Sequence, residues 1–343
     1  MRRYLRRRTA WPTELSTFES ASSAQALREE RVAAELAGER VDRVAASLFP
    51  EHSRTRLAAC IRDGRLTLDG RRVSPKHRVT GGERLLLAAA PDTPDPAAAP
   101  RPQAVPFRIV YEDGDLLVID KPAGVVVHPG AGRADATLVN GLVRHRPGLA
   151  ALPRAGLVHR LDKDTTGLLL VGANPFTLLH LSKALARREV NRRYRAVAEG
   201  VLTGGRTVEA PIERDPSNRL RQRVGATGRH AVTRVRVLDR YRAHTLIEAE
   251  LETGRTHQIR VHMSAIGHPL VGDTRYGARG RLPPAPRDEL TAIVRAFRRQ
   301  ALHACRLAFV HPRSGQMLEH ASPDPADLEG LISALDDDRV RHA

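Results

Sequence analysis

The stretch VHRLDKDTTGLLLVG, residues 158–172, sets His159, Arg160, Asp162, Lys163 and Asp164 directly ahead of an apolar run, Leu168 to Val171. The run is short and flanked by glycine, which reads as a buried strand. A carboxylate at the edge of a core is costly unless it is paired. Asp162 is therefore either half of an ion pair with Arg160 or Lys163, or a carboxylate held rigidly for nucleophilic or general-base work. Asp164 has the same two readings. A paired-carboxylate glycosidase is a poor match, because Asp162 and Asp164 share one short turn.

A second cluster, ETGRTHQIRVHMSAIGHPLVGD (252–273), opens on a Thr253-Gly254 turn. Thr256 to Ile266 has the spacing of a short helix stopped by Gly267. His257, Arg260, Val261 and Ser264 then share one face, and Ile259 points to the core. His257 and His262 lack the four-residue spacing of a helical metal pair, and no carboxylate sits on their turn, so no metal is expected. Tyr194 begins a strand after the basic pairs Arg187-Arg188 and Arg192-Arg193. A tyrosine there can simply bury its ring and wet its hydroxyl. VHRLD differs from a kinase HRD motif: a leucine separates Arg from Asp, no Asn lies four residues on, and no Gly-rich loop or DFG exists. There is no P-loop and no GxSxG. Pro129-Gly130-Ala131-Gly132-Arg133 is a plain turn signal.

The elements that position these residues fall into segments. Residues 1–37 read as a loose basic extension, although SSAQALREERVAAEL has helix formers. Residues 38–88 read as a compact unit. Val41, Val44, Ala45 and Leu48 mark one helix face, closed by Pro50. Ser53 caps a second helix, with Leu57 and Ile61, that ends at Gly64. Asp69-Gly70 signals a type I′ hairpin, and Leu85 to Leu87 a last strand. Residues 89–105 are a Pro/Ala-rich linker. From 106 to 324 the pattern is one mixed domain. Its strands are Arg108–Tyr111, Leu116–Ile119, RRYRAVAEG, HAVTRVRVL and HTLIEAELE; its helix is PFTLLHLSKALARREV, and a turn at Lys121-Pro122-Ala123-Gly124 leads to Val125–Val127. Strands joined by turns predict an α+β class, a mostly antiparallel mixed sheet with helices on one side. Residues 325–343 read as a helix and tail.

The net charge is +17, and nearly all the cations are arginine. That excess favours a polyanion, nucleic acid before membrane, and the arginine fork suits phosphate. In the first unit Arg43, Arg54, Arg56, Arg71 and Arg72 are candidates for an RNA-facing surface. Cys60 and Cys305 read as separate buried thiols of a reducing compartment. No apolar stretch is long enough to span a membrane, and the arginine-rich start lacks a signal-peptide core. A cytoplasmic protein is expected.

Taken together, these segments resemble the RluA family of pseudouridine synthases. HRLDKDTTGL is similar to that family's catalytic motif, usually HRLDxxTSGL. YEDGDLLVIDKPAGVVVHP is similar to its opening strands and TGRTHQIRVHMSAIGHPLVGD to its arginine motif. Residues 38–88 resemble an S4 RNA-binding domain, and with PRAGLVHRLDKDTTG and APIERDPSNR the whole is most similar to the RluD type. The resemblance covers about 38–324. It implies isomerisation of uridine to pseudouridine in 23S ribosomal RNA, in an intersubunit stem-loop, on naked RNA or a pre-50S particle, with no cofactor and by a monomer. It implies that Asp162 is the catalytic aspartate, as nucleophile or as base. Tyr194 would stack on the target base, and Arg260 would pair with the aspartate. Arg160 would fill the gap left by the flipped nucleotide, and Ile259 would pack beneath the base. His159, Thr166 and His257 are expected to support substrate binding. Departures are Arg193 where Lys is common, TTG for TSG, and LDG for VNG, which adds a carboxylate at Asp69 to the presumed RNA face. Other readings are a relative acting on tRNA or another rRNA site, and a non-catalytic S4-type ribosome-assembly factor; pure binding has no use for the Asp162, Tyr194, Arg260 set.

Overall fold

A computed structural model describes residues 28–49, 52, 54–88, 100–128, 135–218 and 220–342. The readings for residues 1–27, Pro50, Ser53, 89–99 and 129–133 lie outside them. The chain divides into two compact units, up to Pro94 and from Asp95.

The first unit holds strand β1 (Arg28–Arg31), helices α1 (Val41–Leu48) and α2 (Arg54–Asp63), and strands β2 (Leu66–Leu68) and β3 (Arg84–Leu87). The three strands form one antiparallel sheet in the order β1-β3-β2. Val41, Val44, Leu57, Ile61, Leu66 and Leu85 close its core. Folded structure therefore starts ahead of residue 38: Arg28–Arg31, helix-forming by composition, pairs with β3, and Val32 enters the core. Tertiary pairing overrides local propensity here. The Asp69-Gly70 turn has positive φ at both residues, 48° and 75°, as a type I′ turn needs. Its return arm makes only one bridge, Leu68 with Arg71, and β2 pairs with β3 instead. The Asp69 carboxylate accepts the Arg84 N–H at 2.8 Å, so it serves its own sheet.

The second unit is built on nine strands. They are β4 (Arg108–Glu112), β5 (Leu116–Lys121), β6 (Thr166–Gly172), β7 (Asn191–Glu199), β8 (Arg206–Glu209), β11 (Val232–Arg240), β12 (His244–Leu251), β13 (Leu302–Val310) and β14 (Met317–Ala321). A separate hairpin pairs β9 (Ile212–Arg214) with β10 (Gln222–Val224). The main order is β4-β5-β6-β13-β7-β12-β11-β8, with β14 on β13. Described neighbours are antiparallel except β6 and β13, which run parallel.

Helices α3 (Leu138–His145), α4 (Pro175–Ala186), α5 (Gln258–Ala265), α6 (Asp288–Ala296) and α7 (Ala326–Arg341) lie on both faces, not on one. The strand alternation shows it. Leu117 and Ile119 of β5, and Ala196 of β7, pack with Leu138 and Leu142 of α3 and Met263 of α5. Leu116 and Val118 pack with Leu181 of α4, and Val197 with Leu290 of α6 and Leu331 of α7. Strand β6 is buried along its whole length. At Gly167, φ is +111° and a Cβ would stand 2.3 Å from the Ala304 carbonyl oxygen, so glycine lets β6 meet β13. The loop of Asp162 feeds straight into this strand.

Candidate active site

Asp162 stands in the loop just before β6, where the Thr165 N–H closes a turn onto its carbonyl at 3.2 Å. Lys121, at the end of β5, is fully buried. Its ammonium donates to the carbonyls of Pro122 (2.8 Å), Val125 (3.1 Å) and Lys163 (2.8 Å), tying the loop to the sheet. Burial brings its pKa down to about 8, against the pull of Asp164 and Asp162. Sequence reasoning saw only a turn at Lys121. The carbonyl cage that gives it this role is assembled by residues 42 positions apart.

The Arg260 guanidinium, on α5, donates from Nη1 to Asp162 Oδ2 at 2.8 Å. Its Nε and Nη2 grip Asp273 at 2.6 and 2.8 Å. The Arg260 side chain is only 7% exposed and that of Asp273 1%. Burial works against the charge, but Asp273 and then Asp162 outweigh it and hold the Arg260 pKa above its ordinary value. Asp273 aims the arginine and the arginine aims Asp162, whose carboxylate keeps 17% exposure. Asp273 lay inside the GHPLVGD stretch with no role assigned, because its partner is 13 residues away across a loop.

Asp162 and Arg260 open on a cleft of about 1360 Å³. Tyr194 lines it from β7; its ring is 5% exposed, and burial raises its hydroxyl pKa. Ile259 and exposed Arg160 also line it. So does His159, whose Nε2 accepts the Leu170 N–H at 3.0 Å. His257 lines it too, with Nε2 3.7 Å from Asp162 Oδ1. It is not within the helix: α5 starts at Gln258, and His257 is its N-cap in a left-handed conformation, φ 57°. Thr166 is a correction. It belongs to buried β6, its hydroxyl pairs with His303 Nδ1 at 2.8 Å, and it does not line the cleft. Its neighbour Thr165 does. His262 turns to the sheet, meeting Thr233 Oγ1 at 2.9 Å and the Ala210 carbonyl at 3.0 Å.

A half-buried carboxylate paired with a buried arginine beside an aromatic ring, in a cleft rimmed by arginines, suits a base lifted out of a polyanion. The RNA pseudouridylate synthase profile matches residues 115–265 and the S4 domain profile residues 39–85. Ribosomal large subunit pseudouridine synthase D of Xanthomonas campestris is 49% identical over 317 residues, which cover 92% of this chain and 95% of the relative. Its namesake from Pseudomonas aeruginosa is 50% identical over 305 residues, covering 89% and 94%. The chain belongs to the RNA pseudouridine synthase family. It is an isomerase with an S4 domain ahead of its catalytic domain. Among solved structures, human RNA pseudouridylate synthase domain containing 1 is 28% identical, with a TM-score of 0.52 over 68% of this chain and 90% of that one. Human RNA pseudouridylate synthase domain containing 4 is 25% identical, also at 0.52, over 67% and 93%.

In the S4 unit of the synthase, three of the five arginines singled out already have partners. Arg43 pairs with Glu39 at 3.1 Å, and Arg54 joins Arg40 in clamping Asp42, each at 2.9 Å. Arg71 and Arg72 stand exposed, and Arg56 also has a partner.

Burial of three histidines should also make the fold of the synthase acid-labile. It holds His128 and His244 at about 4 and His159 at about 3, against an ordinary 6.5. The unfolded chain takes up these protons near 6.5 and the fold only lower. The stability is complete above pH 6.5 and is lost as pH falls toward 4. The loss is at most about 1.4 kcal/mol per ring per pH unit. Thermal unfolding should show Tm dropping between pH 7 and about 5; a flat Tm there would mean that these rings are not held neutral.

Proposed function

We propose that this chain isomerises uridines of large-subunit ribosomal RNA, in an intersubunit stem-loop of the 23S molecule, with Asp162 as the reactive carboxylate. The observation that carries the reading is the 2.8 Å contact of Asp162 with an arginine that Asp273 already holds in place. Relatives named for the ribosomal large subunit, 49–50% identical over most of the chain, support the substrate. The site draws Asp162, Tyr194, Arg260 and Asp273 from one chain, which supports action as a monomer.

In the reaction the N1–C1′ bond breaks, the uracil turns, C5 joins C1′, the C5 proton leaves and the freed N1 takes one up. Nothing is oxidised or reduced. One carboxylate serves, either as nucleophile or as base on the ribose. Arg260 aims Asp162, donating to its Oδ2 at 2.8 Å and setting a cation beside the carboxylate. The target uridine must leave its stack, at a cost of a few kcal/mol. Stacking on the Tyr194 ring and insertion of Arg160 into the vacated space offset it.

With a net charge of +17, binding to rRNA should weaken steeply as salt rises, through counterion release. A flat log Kd against log salt would remove phosphate contacts from the reading. Tritium release from 5-tritiated uridine, in unmodified 23S rRNA and separately in tRNA, tests the substrate. Release from rRNA alone is the expected result; release from tRNA alone would overturn the specificity.

A further inference from the structure

Tyr276 is 3% exposed and lies where three elements meet. It packs on Ile212 of β9, Ala231 and Val261 of α5. Guanidinium carbons of Arg221, beside β10, and of Arg260 stand 5.5 and 4.9 Å from its ring centre. Its hydroxyl accepts the N–H of Gln222 in β10 at 2.9 Å. The same oxygen lies 2.6 Å from His257 Nδ1. Burial raises the Tyr276 pKa, so the phenol keeps its proton. The Gln222 N–H can only donate, so among the described contacts of this hydroxyl Nδ1 is the atom able to accept its proton. Burial, with Arg260 and Arg275 against Asp162 and Asp273, keeps the His257 pKa below its ordinary value. A neutral imidazole that accepts at Nδ1 carries its hydrogen on Nε2, and Nε2 is the atom 3.7 Å from Asp162 Oδ1. The left-handed backbone at His257 is unusual for a residue with a Cβ and aims the ring this way.

We propose that Tyr276 and His257 are positioning residues that wire the β9–β10 hairpin to the reactive carboxylate: the hairpin's Gln222 N–H orients the Tyr276 hydroxyl, which fixes His257 as the Nε2–H tautomer facing Asp162 Oδ1. Asp162 is then gripped on one oxygen by Arg260 and faced on the other by a neutral donor that adds no charge. The exposed Arg214 of the hairpin stands where RNA phosphates can bear on it, whereas Arg223 is held by Glu213 at 2.7 Å. This rests on the reading of Asp162 as the reactive group.

The test uses the full chain labelled with ¹⁵N-histidine. Long-range ¹H–¹⁵N correlation reports each ring's tautomer, and loss of one ring's signals in His257→Gln assigns His257. The wild type should show Nε2–H, and Tyr276→Phe, which keeps the ring, should shift it toward a mixture. Single-turnover tritium release from rRNA should fall about tenfold in Tyr276→Phe and His257→Asn with RNA Kd unchanged, the scale of one hydrogen bond to a charged group. His257→Gln puts an amide N–H near the Nε2 position and should recover most of the rate. An Nδ1–H or doubly protonated His257 in the wild type overturns the wiring, as do equal rates in the Asn and Gln variants. An active Asp162→Asn overturns instead the reading on which it rests, and leaves the tautomer assignment standing.

Discussion

Asp162→Asn should lower turnover by about 10³-fold or more, while leaving RNA affinity within a few-fold. The substitution keeps shape and one carbonyl oxygen, so Arg260 can still donate to it. Arg260 itself stays clamped by Asp273 at 2.6 and 2.8 Å, and Lys121 still ties the loop to β5. What disappears is the negative charge, and with it the nucleophile or base. Tritium release and Kd measured on the same preparations separate the two effects. A large loss of affinity would mean that Asp162 holds the loop rather than reacts.

Asp273→Ala should be the most destabilising single change in the site. It removes two charge-assisted hydrogen bonds and leaves a guanidinium that is 7% exposed with only one carboxylate. Breaking a buried pair in this way costs about 3–5 kcal/mol, on the order of 10 °C in Tm for a domain of this size. Turnover should fall as well, because Arg260 loses the partner that fixes its direction. Asp273→Asn, which keeps an acceptor, should lose less on both counts. Thermal unfolding within about 1 kcal/mol of wild type for the alanine variant would show that Asp273 is not the anchor.

Much of this site was legible because its residues sit in short, dense motifs. Asp162 stands out as a carboxylate pressed against a core strand, and β6 lies where the glycine-flanked run placed it. Arg260 could be assigned to Asp162 only through the resemblance. The two are 98 residues apart, and no periodicity links them. What failed to show depends on contacts between distant segments. Asp273, Lys121 and Tyr276 are ordinary residues in the sequence until the fold brings them to Arg260, to three carbonyls and to His257. Thr165 and Thr166 are equivalent in sequence, and only the start of β6 decides which faces the cleft. Strand β13 went unread because His303, Cys305 and Arg306 interrupt its apolar pattern, yet it is the parallel neighbour of β6. The face of the sheet on which each helix packs is a tertiary choice too. Arg43 and Arg54 were grouped with the RNA-facing cations, because their local partners Glu39 and Asp42 come into reach only once α1 and α2 form.

The most direct test is made on ribosomal RNA from cells that lack this chain. Pseudouridines in the 23S intersubunit stem-loop are mapped by carbodiimide modification and primer extension. They should be missing, and should return on expression of the wild type but not of Asp162→Asn. Pseudouridines that persist without the chain, or that return equally with the asparagine variant, would contradict the assignment of this chemistry to Asp162.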